Sequence, residues 1–337
     1  MRPSFYPRLI NDPFSDPGLY IPFQFERRAL MFDIGDLASL SARDLLKVTH
    51  VFVTHAHLDH FIGFDILLRI FLGRDKQLHI FGPPSFFDHI EGKLSSYNWN
   101  LVNEYTNDFS LHVTEIHPGK CLTKTYICRE GFKPAGSSTE RSRSGAVLEE
   151  PAFHVAVELL DHRIPCLGLS LVEHFSINII KEELNSLGLP VGPWLNRFKQ
   201  ALHENRDMNS DFHVTWEQGG IVIKEKAFVL GDLKEQIARI SPGQKIAYIT
   251  DVVGSEGNYK KIIKLSENAD HLFIEAAFLE RDKELAKQKY HLTAGEAGVL
   301  ARKAGAKEFT LFHFSPRYTD CAEDIHREAS EAYFGQH

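Results

Sequence analysis

Thr54-His55-Ala56-His57-Leu58-Asp59-His60 decides how this chain folds. Its histidines follow directly on Val48 to Thr54, a run rich in β-branched and aromatic residues that reads as a buried strand. His55, His57 and Asp59 alternate, so in extended backbone their side chains project from one face, while the adjacent His60 turns toward a second site. Imidazole and carboxylate suit zinc and neighbouring transition metals, and the lack of thiolates in the segment favours a catalytic over a closed structural site. A histidine-rich surface loop is the plainer reading. It is outweighed by several ligand types sharing one short strand-to-helix junction.

Outward from this segment, Ala29 to Ile34 is a second apolar run, closed by Gly35 and Asp36. Ser41 to Lys47 between them carries a Ser cap and helix formers. Strand, helix, strand in this order predicts an α/β layered fold. Phe61 to Leu72 is long and apolar enough for a helix packed on the sheet. Further strands are expected at Leu78 to Phe81, Ala152 to Leu160, Lys245 to Thr250, His271 to Ile274 and Glu308 to Phe314, with a helix at Thr293 to Ala304. No Pro/Gly linker divides the chain, so one domain over 1–337 with two insertions is expected. The first insertion, 131–150, has the core Gly136-Ser137-Ser138-Thr139-Glu140-Arg141-Ser142-Arg143-Ser144-Gly145, which buries no apolar surface and reads as a mobile loop. The second, 173–225, holds the turn-rich Leu187 to Leu195 between helical patterns and reads as a protruding arm.

Composition sets the outer bounds. With 337 residues the chain can bury a sizeable core, and its 25% charged and 43% hydrophobic residues are those of a globular protein. No apolar stretch reaches the length of a membrane span and the first residues lack a signal-peptide core, so no membrane contact and a cytoplasmic location are expected. Cys121, Cys128, Cys166 and Cys321 form no C-x-x-C pair and read as reduced thiols. The net charge of −7 argues against a general nucleic-acid coat protein but leaves room for a basic cleft.

H-x-H-x-D-H is the motif of the metallo-β-lactamase superfamily, and later segments resemble the ribonuclease Z family within it. Leu160-Asp161-His162-Arg163-Ile164-Pro165-Cys166-Leu167-Gly168, Ile249-Thr250-Asp251, His291-Leu292-Thr293-Ala294 and Phe312-His313-Phe314-Ser315-Pro316-Arg317-Tyr318 are similar to four of that family's motifs in the same order. The resemblance implies an αβ/βα four-layer sandwich with two zinc ions, or manganese or another divalent metal, at one sheet edge. It implies that His55, His57 and His162 hold one ion, that Asp59, His60 and His313 hold the other, and that Asp251 bridges them. Taken singly, His162, Asp251 and His313 have plainer roles as a hydrogen-bonded histidine, a turn residue and a core histidine; their joint order lifts them above these. Gly188-Leu189-Pro190-Val191-Gly192-Pro193 resembles the Gly-Pro motif of the family's tRNA-gripping arm, which puts Gly188, Pro190, Gly192 and Pro193 in a substrate-binding turn. Two departures stand beside this. Acidic residues outnumber basic ones in 173–225, and Asp33-Ile34-Gly35-Asp36 only partly matches the family's Asp-Cys-Gly-Glu-Gly-Thr-Gln segment.

The chemistry expected of such a site is phosphodiester hydrolysis by a metal-activated water, with Asp59 orienting the nucleophile. By resemblance His291 protonates the leaving oxygen, and Arg317 can pair with phosphate through its fork of donors. A helix-capping histidine and a structural salt bridge are their plainer readings. The leading expectation is an endoribonuclease that removes the 3′ trailer of precursor tRNA as a homodimer. The alternative is a small-molecule phosphodiester hydrolase of the same fold, and a metal-binding scaffold without turnover is the third, disfavoured because a scaffold needs no general acid.

Overall fold

Strands and helices extend from Arg8 to Phe334 in the computed structural model, which describes residues 4–24, 26–134, 136–143, 145–218 and 221–335. Positions 135 and 144 of the expected loop and 219 and 220 of the expected arm lie outside the described residues. The chain forms two compact units. The larger comprises Phe5–Val147, Val155–Leu171 and Lys245–His337, and the smaller is built mainly from Leu148–His154 and Val172–Gln244.

An eight-stranded sheet in the larger unit follows chain order, from Arg8–Leu9 through Leu19–Pro22, Ala29–Phe32, Val48–Phe52, Lys76–Gly82, Phe109–His117 and Lys120–Ile127 to Thr139–Ser142. Its middle is parallel, Ala29–Phe32 to Val48–Phe52 to Lys76–Gly82 to Phe109–His117, and its flanks are antiparallel. Parallel neighbours need crossovers, and the helices Ala42–Leu45, Phe64–Phe71 and Phe86–Ser95 supply them. One face of the sheet packs on these helices through Met31, Val51, Val53, Ile80 and Leu111. The opposite face, by the period of two along a strand, presents Phe32, Phe52 and Phe81.

The second sheet has the order Glu308–Phe312, His271–Glu275, Lys245–Ile249, Pro165–Glu173, Phe153–Asp161 and Leu148–Glu149, its first three strands parallel. Phe32 stands 5.9 Å from Tyr248, and Tyr248 stacks on Phe312 at 5.0 Å, so an aromatic seam joins the inner faces of the two sheets. The outer face of the second sheet packs on Glu256–Leu265, Ala294–Ala304 and Ala322–Phe334 through Ile262, Leu300, Ala301 and Ile325. Helices, sheet, sheet, helices is the α/β layering that the sequence predicts and the four-layer sandwich that the resemblance implies. Thr293 starts Ala294–Ala304 with a capping box completed by Glu296.

The helix expected over Phe61 to Leu72 is interrupted. It divides into Leu58–Phe61 and Phe64–Phe71, with Gly63 between them pressed against the loop after Ala29–Phe32. A Cβ on Gly63 would lie 2.5 Å from the Gly35 carbonyl oxygen, and one on Gly35 would lie 2.3 Å from that of Asp59. Only two glycines let these loops pass so closely. Thr139–Ser142, within the segment expected as a loop, adds an antiparallel edge strand to Lys120–Ile127.

In the smaller unit Phe175–Ile179 pairs antiparallel with Ala238–Pro242, and Asp211–Gln218 with Ile221–Val229. The helices Lys181–Ser186, Trp194–His203 and Leu230–Ile237 close over Ile177, Leu184, Trp194, Phe198, Phe212 and Leu230. The segment read as an arm thus has its own apolar core. Gly188, with φ of +64°, turns the chain out of the first helix; the Pro190 carbonyl accepts a 2.8 Å bond from Trp194 Nε1, and Pro193 immediately precedes Trp194–His203. Val191, between Pro190 and Gly192, is 72% exposed.

Candidate metal centre

Five loops at the carboxyl ends of parallel strands supply the centre. Ala29–Phe32 runs into Asp33, Val48–Phe52 into His55 to His60, and Lys245–Ile249 into Asp251, while His271–Glu275 ends on Glu275 and Glu308–Phe312 runs into His313. His162, after Phe153–Asp161, and His291, before Ala294–Ala304, complete it. Asp33, Asp251 and His313 all have positive φ, at 56°, 50° and 61°, and Arg163 and Tyr290 beside His162 and His291 share this conformation. Such backbone is costly for residues with a Cβ and persists where surrounding structure enforces it, characteristically at functional sites.

The seven expected ligands are brought together in two groups. His55, His57, His162 and Asp251 form one, and Asp59, His60 and His313 the other, each with ligand atoms within 4.8 Å of one another. Asp251 lies between them. Its Oδ2 is 3.5 Å from His55 Nε2, 3.5 Å from His60 Nε2 and 3.4 Å from His162 Nε2, and its Oδ1 is 3.1 Å from His313 Nδ1. Asp59 Oδ2 is 3.5 Å from His60 Nε2 and 3.3 Å from His313 Nε2. Direct charged hydrogen bonds close to about 2.7–2.9 Å. Ligand atoms held about 2.0–2.1 Å from a shared ion stand about 3.3 Å apart in a tetrahedron, which is the spacing seen here. His55 Nε2 and His60 Nε2 are also buried with no hydrogen-bond partner, a costly state that a cation relieves. The residues present therefore fit a divalent metal.

The other ring nitrogens are already engaged, which fixes which atom faces the centre. His60 Nδ1 donates to Asp33 Oδ2 at 2.9 Å, His55 Nδ1 to Thr54 Oγ1 at 3.0 Å and His162 Nδ1 to the Tyr290 carbonyl at 2.9 Å. Asp33 is fully buried and also accepts from the Thr54 backbone, the Thr54 hydroxyl and the Tyr248 hydroxyl. Burial alone would keep His60 neutral, but Asp251 and Asp33 outweigh it and push its pKa up to about 10 in the metal-free protein. Burial likewise opposes ionised Asp251, yet His313 and His60 hold its carboxyl well below the usual range. His55 goes the other way, its pKa driven down by burial and by His60.

His291 adjoins both groups, its ring 5.2 Å from that of His162 and 5.4 Å from that of His313. Its Nδ1 donates to Glu275 Oε2 at 2.7 Å, leaving Nε2 for a reacting group. Glu275 Oε1 accepts from the Val252 and Leu292 backbone. Although burial favours the neutral ring, Glu275 raises the His291 pKa above its ordinary value. Sequence reasoning missed Glu275, which ends an apolar strand as an ordinary acidic residue would. A cavity of about 380 Å³ reaches Asp59, His291 and His313 and is also lined by Phe278, Lys289 and Arg317. Arg317 is exposed, its guanidinium 5.6 Å from the centre of the Phe278 ring. Gly188, Pro190, Gly192 and Pro193 belong to the smaller unit and not to this group of residues.

Residues 16–71 match the family model for the metallo-β-lactamase superfamily. Ribonuclease Z of Deinococcus radiodurans is 27% identical over 308 residues, 90% of this chain and 88% of that protein. Ribonuclease Z of Haloferax volcanii is 29% identical over 318 residues, covering 91% and 82%. Among solved structures, the short form of human tRNase Z superposes with a TM-score of 0.53 at 19% identity, over 92% of this chain and 93% of that one. The metallo-β-lactamase fold protein YhfI of Bacillus subtilis gives 0.55 at 14% identity, over 98% and 94%. Sequence relatives that span nearly the whole chain, a shared fold and the candidate ligand loops in their expected order lead to one placement: the chain has the metallo-β-lactamase fold and is similar over most of its length to proteins named ribonuclease Z.

Proposed function

We propose that this protein is a metal-dependent endoribonuclease that removes the 3′ trailer of precursor tRNA. The observation that carries the reading is Asp251 set between two ligand groups at metal-ligand spacing, with the Glu275-bound His291 beside both. His55, His57 and His162 would hold one ion and Asp59, His60 and His313 the other, with Asp251 bridging. Zinc suits this donor set, and manganese is the alternative. When bound, such a pair supplies Lewis acidity and a water acidic enough to ionise near neutral pH.

The chain's own residues do the rest. Asp59, 41% exposed at its side chain, faces the cavity and orients the attacking water. His291 holds a proton at Nε2 for the leaving 3′ oxygen, with Glu275 stabilising the charged ring. Lys289 and Arg317 on the cavity wall attract phosphate, Arg317 through two donors at once. The Gly188 to Pro193 turn, with Val191 exposed at its tip, contacts the body of the tRNA, and the working form is a homodimer in which one subunit's turn presents RNA to the other. No helix among the described residues is long and apolar enough to cross a membrane, and the cytoplasm is the proposed location.

Cleavage of a defined precursor tRNA and of a small chromogenic phosphodiester by the same preparation tests the reading. Precise release of the 3′ trailer with a far higher kcat/KM for the RNA is expected. Turnover of the small ester alone would replace this reading with a small-molecule phosphodiesterase.

A further inference from the structure

A second histidine–carboxylate cluster lies in the smaller unit and shares no residue with the centre described above. Glu149, His154 and His174 each offer a ligand atom within 4.8 Å of the others. His174 Nε2 is 3.1 Å from Glu149 Oε1 and 3.2 Å from the Glu150 carbonyl oxygen, and the His154 and His174 rings are 5.3 Å apart.

The backbone beneath the cluster is fixed. Glu150 and Phe153 exchange backbone hydrogen bonds of 2.9 and 3.2 Å around Pro151, and the His174 backbone donates to the Ala152 carbonyl at 2.9 Å. The hairpin and the chain at His174 are thereby pinned at one point before any ligand arrives, so little conformational entropy is left to lose on binding. The neighbouring Glu173 does not compete, because its carboxylate is taken by the Ser4 hydroxyl and the Gln244 backbone. A cavity of about 470 Å³, lined by Glu149, His174, Phe175, His203 and Asn205, opens on the cluster and gives room for water as a further ligand.

We propose that Glu149, His154 and His174 form an accessory site for a single divalent ion of the zinc class. Two imidazoles and one carboxylate are a zinc donor set, and the 3.1 Å separation of His174 Nε2 from Glu149 Oε1 is close to the edge of a tetrahedron with bonds of about 2.0–2.1 Å. The ion ties the hairpin around Pro151 to the chain at His174, near the start of Val172–Gln244, and its role is structural: two ligands from the hairpin and one from the second segment cross-link them as a metal clip does.

The test is zinc content per chain in full-length protein equilibrated with zinc chloride and desalted. The wild type is expected to retain one more zinc ion per chain than His174→Ala or His154→Gln, with kcat on a small phosphodiester within about twofold across all three. Zinc should also raise the Tm of the wild type above that of either variant. Equal zinc content in the wild type and both variants overturns the site. Glu149→Gln, which preserves side-chain size, settles the matter if either histidine variant fails to fold: loss of the same ion supports the site, and retention of it overturns the three-ligand assignment.

Discussion

Glu275 Oε2 lies 2.7 Å from His291 Nδ1, and the other oxygen of that buried carboxylate is held by the Val252 and Leu292 backbone. The carboxylate therefore cannot swing away from the ring. It fixes the tautomer with a proton on Nδ1 and favours the doubly protonated ring that a general acid requires.

Removing the ring and removing its charge partner should have different effects. His291→Ala is expected to lose about a hundredfold or more in kcat while metal content is unchanged, because a general acid typically contributes that much. Glu275→Gln keeps a hydrogen-bond partner but loses the negative charge, so a smaller fall in kcat is expected. The basic limb of its pH–rate profile should move to lower pH, since the proton on His291 is held less firmly. A phosphodiester with a very good leaving group should be less affected in both variants. Loss of metal from His291→Ala would make His291 a ligand and end its assignment as the acid.

Metal loading should release protons. His60 carries a proton on Nε2 in the metal-free protein, since Nδ1 is bonded to Asp33 and Asp251 stabilises the charged ring. Its pKa of about 10 leaves it charged at neutral pH, and an ion can bind Nε2 only by displacing that proton. Titration calorimetry with zinc in buffers of different ionisation enthalpy should therefore give different apparent enthalpies. Asp251→Ala should lower occupancy at both positions, whereas His162→Ala should chiefly weaken one. Full loading that never exceeds one ion per chain in the larger unit would rule out the paired centre.

His50, His79 and His112 stack face to face across three parallel strands, with ring centroids 4.8 Å apart at both steps. Burial, and then the neighbouring His79, drive the His50 pKa down to about 3, and burial lowers that of His112. In the unfolded chain these rings titrate near 6.5. As pH falls below that value the unfolded chain takes up protons that the folded chain refuses, so stability is full above about pH 6.5 and declines toward pH 3. The decline is at most about 1.4 kcal/mol per pH unit for each ring. Urea midpoints at pH 7 and pH 5 should fall further apart for the wild type than for His50→Phe, and equal differences would show that this ring does not contribute.

The layered α/β fold was legible because strands buried on both faces, such as Ala29–Phe32, read as apolar runs, and because Ser41 and Thr293 mark helix starts with side chains that cap. The ligand loop was legible for a different reason, its residues being adjacent in sequence. Glu275 and Asp33 were not. Each meets its histidine, His291 and His60, only in space, and nothing in the surrounding residues distinguishes Glu275 from a carboxylate at any strand end. The break at Gly63 was hidden in the same way, since the reason for it is Gly35, on a different loop.

The Gly188 to Pro193 turn is separable from the chemistry by a single substitution. Excising 177–211 would remove Ile177, Leu184, Trp194 and Phe198 from the core of the smaller unit, so lost activity would report misfolding as readily as lost binding. Val191 is the better probe, being 72% exposed at the tip of the turn, where substitutions usually change stability by no more than about 0.5 kcal/mol. Val191→Glu should add a negative charge where a phosphate backbone approaches and raise KM for precursor tRNA severalfold, leaving kcat and the hydrolysis of a small phosphodiester unchanged. The rise should steepen at low salt, because charge repulsion is less screened there. An unchanged KM for precursor tRNA at low salt would remove this turn from the RNA-binding surface, and a parallel loss on both substrates would assign it to the stability of its own unit.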